Sequence, residues 1–202
     1  MLKLVSLYLL LFISVVGLQL LAVPPVILYI VTTGILVLIL YVTLKPILFE
    51  KDYLKVLQFL KKSKNTSYQF LYLYFEKRYE EAEQLIPRVK PKKVQDFHRI
   101  AILTTKNKFK EAKELALSLK DSEDKFFYLC VIALELKDKK LLEQNRPKLK
   151  RALNKQYLSI YELYYNGKKK EALAAIDRRI ARTKGFQLLM DVQLKNELLH
   201  KK

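Results

Sequence analysis

The side chains able to do chemistry are few in this 202-residue chain, and their spacing gathers none of them into a site. His98 falls in a helix between Asp96 and Arg99, where it reads as a solvated or helix-edge residue, and His200 lies at the C-terminal tail. A zinc site requires three or four His, Cys or carboxylate ligands at set spacing, so no metal is expected. Cys130, the single cysteine, stands in the apolar run 126–134 and is expected to pack rather than react. It has no neighbouring histidine to activate it, and one cysteine excludes an intrachain disulfide. The four glycines, Gly17, Gly34, Gly167 and Gly185, are too scattered to form a phosphate-cradling loop. Glu80-Glu81 sits on a solvated helix start, which suits helix polarity better than acid–base work. An enzyme would require groups such as His98 and Glu111 to converge in a polar cleft, and the spacing gives no reason for that. The expectation is a protein that is not an enzyme, with no catalytic residue, no cofactor and no evident small-molecule substrate.

What remains is the chemistry of recognition. Lys and Arg number 38 against 20 Asp and Glu, a net charge of +18. An excess of that size points to an anionic neighbour. The candidate basic surface comprises Lys61, Lys62 and Lys64, then Lys168, Lys169 and Lys170, then Arg178, Arg179 and Arg182. Beside an anionic leaflet each such charge adds about 1 kcal/mol of attraction. The basic residues are spread along the chain, so a merely solvated surface is the competing reading. Aromatics interleaved with cations also suit single-stranded nucleic acid, but no nucleic-acid module is visible and that partner is disfavoured. Tyr72, Tyr157 and Tyr165 are the candidate anchors for a protein partner, because aromatics dominate interface energetics.

The elements that must position these groups divide sharply. Residues 4–44 carry no charge, and Lys3 is the only charged side chain before Lys45. All but one of the net charges therefore belong to residues 45–202, a split hidden by the mean hydropathy of -0.01. Pro24-Pro25 breaks the apolar stretch into residues 4–23 and 26–44, each long enough to cross a bilayer as a helix. The alternative, a cleaved leader, fits poorly, because Leu20 stands where a small residue should precede Ala22. With a short uncharged link, the two runs are expected to form a transmembrane hairpin over residues 1–45. Lysines flank both ends, with Lys3 before the first run and Lys45, Lys51 and Lys55 after the second. They place both termini in the cytoplasm of a two-span cell-membrane protein, and the Lys-rich composition suggests a bacterial source. Tyr8 and Tyr41 fall near the inner interface and Tyr29 near the outer one. No ionisable residue lies inside the hairpin to mark a transport path.

Residues 46–65 read as a linker and a basic amphipathic helix over 50–62, either lying along the bilayer or packed as the first helix of the body. Residues 66–202 then repeat. Phe75–Ala82, Thr105–Ala112, Glu135–Leu142 and Tyr165–Ala172 are four related segments whose last positions are thirty residues apart. A fixed period in that range marks a helical array. Each unit reads as helix, tight polar turn, helix. First helices fall near 68–75, 94–105, 125–136 and 154–165, and second helices near 79–89, 109–119, 139–145 and 168–181. Ala82, Ala112 and Ala172 fall where paired helices approach. Asp121-Ser122-Glu123-Asp124 suits a helix N-terminus, and residues 186–199 form a last helix that covers the end of the array.

The motif of a turn residue, an aromatic, then Glu-Ala occurs in Arg78-Tyr79-Glu80-Glu81-Ala82 and Lys108-Phe109-Lys110-Glu111-Ala112. Gly167-Lys168-Lys169-Lys170-Glu171-Ala172 keeps its glycine and its Glu-Ala. Over residues 66–182 this resembles the tetratricopeptide-repeat superfamily of helical hairpins. The early Trp of that family is absent, only Gly167 supplies its turn glycine, and Leu142 replaces one Ala. The resemblance implies a partner-binding array rather than chemistry. The expected protein is thus all-α: a two-helix transmembrane hairpin followed by a TPR-like α-solenoid of four short hairpins with a covering helix. Its expected role is a membrane-anchored cytoplasmic scaffold that binds a protein partner. The alternatives are an accessory subunit of a transport or envelope-assembly machine, or a basic domain contacting anionic lipid or nucleic acid.

Overall fold

The computed structural model describes residues 6, 9, 12–17 and 24–200, and all regular structure among them is helical. The first long element, α1 (Pro25–Leu48), begins at a proline whose missing N–H costs nothing in the first turn. Thr32 and Thr43 return their hydroxyl protons to the carbonyls of Leu28 and Ile39, at 2.7 and 2.8 Å, so neither is left unsatisfied in apolar surroundings. Its 24 residues span about 36 Å, against a hydrocarbon core of about 30 Å. Only 6% of its most apolar stretch is buried in the protein.

This corrects the expected two-helix hairpin. Among the described residues one helix, not two, is long and apolar enough to cross a membrane. The second apolar run continues through Lys45 and Pro46 to Leu48 as one helix. The two-span localisation with both termini cytoplasmic falls with the hairpin, since it required a return crossing. The first run, residues 4–23, lies mostly outside the described residues; Ser6, Leu9 and residues 12–17 are helical.

A short junction follows. Glu50 Oε1 accepts from the amides of Lys51 and Asp52 at 3.0 and 3.2 Å, and Asp52 caps α2 (Tyr53–Lys62) through the Leu54 amide. Four helical hairpins succeed it: α3 (Thr66–Phe75) with α4 (Tyr79–Leu85), α5 (Lys92–Thr105) with α6 (Phe109–Ser118), α7 (Glu123–Leu136) with α8 (Lys139–Asn145), and α9 (Ala152–Tyr165) with α10 (Lys169–Ile180). Ala82, Ala112 and Ala172 are fully buried between paired helices. Small side chains there let the backbones approach, as the sequence pattern predicts.

The thirty-residue period is a repeated turn. Lys77, Asn107, Lys137 and Gly167 all adopt positive φ, at 60, 57, 54 and 78°. In each case the next amide, of Arg78, Lys108, Asp138 or Lys168, donates to the carbonyl five residues earlier, at 2.8–2.9 Å. That is a left-handed helix stop which satisfies an otherwise orphaned carbonyl. Glycine is the residue this geometry favours, yet three units make it with a side chain. Lys137→Gly is therefore expected to stabilise the protein by about 0.5–1 kcal/mol, and Gly167→Ala to destabilise it by a similar amount. Urea unfolding followed by far-ultraviolet circular dichroism checks both.

A second, longer period lies over the first. Pro87 and Pro147, sixty residues apart, end α4 and α8 in 3-10 turns (Ile86–Arg88 and Arg146–Lys148), and buried Val89 and Leu149 follow them. In the second and fourth hairpins no proline intervenes. There α6 and α10 run on to bury Ala116 and Ile176. Long and short second helices thus alternate, so the structural unit is a pair of hairpins.

The last helix, α11 (Gly185–His200), covers the fourth hairpin as expected: Leu194 and Leu198 pack with Ile160, Ala172 and Ile176. It also reaches the beginning of the array. Leu189 packs with Val56, Leu57, Leu60 and Phe75, Phe186 meets Phe75 with ring centroids 6.4 Å apart, and the Gly185 amide donates to the Glu50 carbonyl at 2.6 Å. The covering helix expected at one end of the array thus packs at both, and α11 joins the first and last members into a ring.

Candidate functional site: a tyrosine-lined cleft inside the ring

Closing the array leaves a cleft of about 450 Å³ between the first helices of the hairpins and α11. The repeat builds its wall: Leu71, Ala101, Val131 and Tyr161, thirty residues apart, all line it. Tyr74, Tyr128 and Tyr161 supply aromatic faces, Thr104 and Thr105 a hydroxyl-bearing strip, and Glu135 and Glu197 carboxylates. The Tyr74 hydroxyl lies 3.0 Å from Thr105 Oγ1. Burial, with the charge of Asp124 adding, pushes the Tyr128 phenol up to about 12. Burial raises Tyr74 and Tyr161 as well, and the charge of Glu197 adds to both. All three stay protonated at neutral pH and act as neutral hydrogen-bonding rings. Glu197 is exposed on α11, so that charge stands at the mouth.

His98 sits at the base of the cleft wall. Its ring stacks on Phe70 with centroids 3.9 Å apart, and the residue is only 9% exposed. Nε2 is buried with no hydrogen-bond partner in the protein. The helix-edge reading of His98 is thus overturned. Its register would have shown this, since Tyr68, His98, Tyr128 and Leu158 occupy one inward position at thirty-residue steps, none of them exposed. Burial lowers its pKa from the usual 6.5 to about 4, so the folded ring is neutral where the unfolded one protonates. Unfolding then takes up a proton between these values. Stability contributed by the neutral ring is complete above about pH 6.5 and is lost as pH falls toward 4. Replacing His98 with Phe is expected to flatten this part of the stability–pH profile, measured by chemical denaturation of both proteins across the interval.

The residues singled out by sequence scatter. Tyr72 packs toward α2 with Lys61 Nζ 5.6 Å from its ring centroid. Tyr157 donates to Asp191 Oδ1 at 2.7 Å and carries the Arg179 guanidinium 4.5 Å above its ring. Tyr165 stacks edge-on against Tyr164 and bonds Glu135. None of the three lines the cleft. Arg179 is largely covered in its ion pair with buried Asp191, and Lys169 spans from Tyr164 to the Leu199 carbonyl, so both serve the attachment of α11. Lys168 pairs with Glu171 at 3.5 Å. Lys62, Lys64, Lys170, Arg178 and Arg182 are exposed. Glu111 pairs with Lys108 on an exposed helix start, whereas His98 is buried against Phe70. Cys130 is fully buried, and burial pushes its thiol up to about 12, far from a nucleophile's range. Among the described residues no group of three His, Cys, Asp or Glu could hold a metal ion.

The chain matches no family model, no curated protein and no solved structure.

Proposed function

We propose that this protein is a membrane-anchored interaction module, in which α1 lies in the bilayer and the ring of tetratricopeptide-like hairpins presents a protein-binding surface beside it. The observation that carries the reading is the exposure of α1. An apolar helix of span length with almost no protein around it needs lipid or other membrane helices to cover it. The excess of positive charge, +18 over the chain, favours partners with acidic faces.

The test uses the full chain expressed with its native membranes. Alkaline carbonate extraction should leave it in the pellet, and a variant with Leu36, Val37 and Leu40 changed to Lys should release it. Photo-crosslinkers placed at exposed Lys170 and Arg178 should yield a discrete adduct that the released variant fails to form. Extraction of the unaltered chain, or adducts without any discrete species, would refute the proposal.

A second reading, direct contact with anionic lipid, is favoured by one feature. Where α1 meets α2, Leu48, Phe49, Tyr53 and Leu54 are exposed, and Lys45, Lys51 and Lys55 lie among them. The chain has no tryptophan, so Phe49→Trp gives a lone reporter. Its emission should shift to the blue in phosphatidylglycerol vesicles and be quenched by headgroup-proximal nitroxides, and a solvent-like spectrum would count against lipid contact.

A further inference from the structure

We infer that the seam between the α1–α2 junction and the turn into α11 binds the headgroup of an anionic phospholipid, shared between Lys45 and Lys51 on one side and Arg182 and Lys184 on the other, and that the bound lipid holds the ring shut. This rests on the lipid reading of the α1–α2 junction and adds to it cations from the far end of the chain. Backbone bonds bring the two segments together. The Glu50 amide donates to the Lys45 carbonyl at 3.1 Å, and the Glu50 carbonyl accepts from the Gly185 amide at 2.6 Å. Lys51 and Lys184 are chain neighbours of that bonded pair, so each Cα stands about 3.8 Å from a Cα of the pair. Arg182 lies in the same turn as Lys184, and Lys55 in the first turn of α2. All five side chains are exposed, and among the described residues none of them forms an ion pair or a hydrogen bond. The only carboxylates in these two segments are Glu50 and Asp52, and each already accepts from backbone amides. Asp191, further along α11, is committed to Arg179. The fold thus gathers like charges across the seam. An anion bridging the two segments relieves that repulsion only while α11 stays against α1, so it favours the closed ring by mass action. The occupant is a lipid rather than a soluble anion, because Leu48, Phe49 and Leu54 stand half exposed among these cations at the end of a helix of span length. Acyl chain covers the apolar side chains while phosphate meets the cations.

The Gly185 amide makes the seam directly observable. Full-length protein is reconstituted into nanodiscs of phosphatidylcholine, alone or mixed with phosphatidylglycerol, and hydrogen exchange is followed by mass spectrometry in peptides that include Gly185. Phosphatidylglycerol should slow exchange there by about tenfold or more, given the attraction of each cation to an anionic surface. Arg182→Gln with Lys184→Gln should abolish the slowing, and Arg182→Lys with Lys184→Arg should keep it. Lys110→Gln with Lys140→Gln, which removes the same charge from exposed positions on α6 and α8, should keep it as well. Circular dichroism in phosphatidylcholine confirms that all three variants fold. Phe49→Trp reports separately on lipid contact at the junction. A blue-shifted spectrum with unchanged exchange would overturn this inference and leave that contact standing, whereas a solvent-like spectrum would remove both. Slowing that survives the Arg182 and Lys184 glutamines, that is lost equally with Lys110 and Lys140, or that inorganic phosphate reproduces in phosphatidylcholine would also overturn it.

Discussion

Asp191→Ala is expected to lower the unfolding free energy by about 3–5 kcal/mol, the usual penalty for stranding one member of a buried ion pair. Asp191 is completely buried on α11. Its Oδ1 accepts from the Tyr157 hydroxyl at 2.7 Å and from Arg179 Nε at 3.0 Å, and Thr183 Oγ1 lies 2.9 Å from Oδ2. Three elements of the ring's closure, α9, α10 and the turn into α11, therefore meet at one carboxylate. Without it the Arg179 guanidinium stays buried with no counter-charge, and its Nη2 already lacks a partner. Asp191→Leu combined with Arg179→Met should recover much of the loss, because replacing both members of a buried pair with apolar groups is often neutral. The comparison distinguishes a stranded charge from simple loss of packing. Urea denaturation of the three proteins measures it, and equal losses for the single and double variants would show that the ion pair is not the cause.

Gly185→Val is the second large effect. Gly185 has φ of 58°, and a Cβ placed on it would lie 1.9 Å from the Ile47 carbonyl oxygen, 2.4 Å from the Ile47 carbonyl carbon and 2.8 Å from the Leu48 nitrogen. These are backbone atoms of α1 and cannot rotate away. The left-handed conformation alone costs about 1–2 kcal/mol for an L-residue, and forced overpacking adds about 1–3 kcal/mol. The cheapest relief is to part α11 from α1, which breaks the bond from the Gly185 amide to the Glu50 carbonyl. A loss of about 2–5 kcal/mol is expected, together with fast hydrogen exchange at residue 185 and protease cleavage near residues 49–52. Even Gly185→Ala should show it. A variant as stable as the parent, with its junction still protected, would mean that this contact does not hold α1 to the body.

Both effects concern closure, and closure is what a single sequence hides. The hairpins were legible because their determinants are local. Ala82, Ala112 and Ala172 keep step with a recurring turn, and the first helices lie within two residues of their predicted limits. Helix starts were legible for the same reason: Ser122, with Glu123 and Asp124 after it, caps α7 as the acidic cluster suggested, and its side chain accepts from the Lys125 amide. Gly185 was visible only as a turn residue, since nothing nearby announces the α1 backbone it touches. Asp191 left a fainter sign, a carboxylate placed between Leu188, Leu189 and Leu194 on a helix whose apolar residues occupy more than one face. A helix buried on two sides has that pattern, and reading it as the cover of one end undercounted its neighbours. The cleft residues were missed because the aromatics chosen, Tyr72, Tyr157 and Tyr165, fall at positions that meet α2, Asp191 of α11 and Tyr164 instead of the cleft. His98 and Tyr128 show that the informative coordinate was register within the repeat.

Joining the two ends of the array also changes how it should come apart. A linear stack of hairpins frays from its termini, each unit held by one neighbour less than those inside. Here the first helix after α1 and the final helix of the chain shield each other, so unzipping has no loose margin from which to start. The amides of α2 and α11 should lose protection in the same step as those of α5 and α7, giving one melting event for the body where an unclosed stack of equal length would give a graded series.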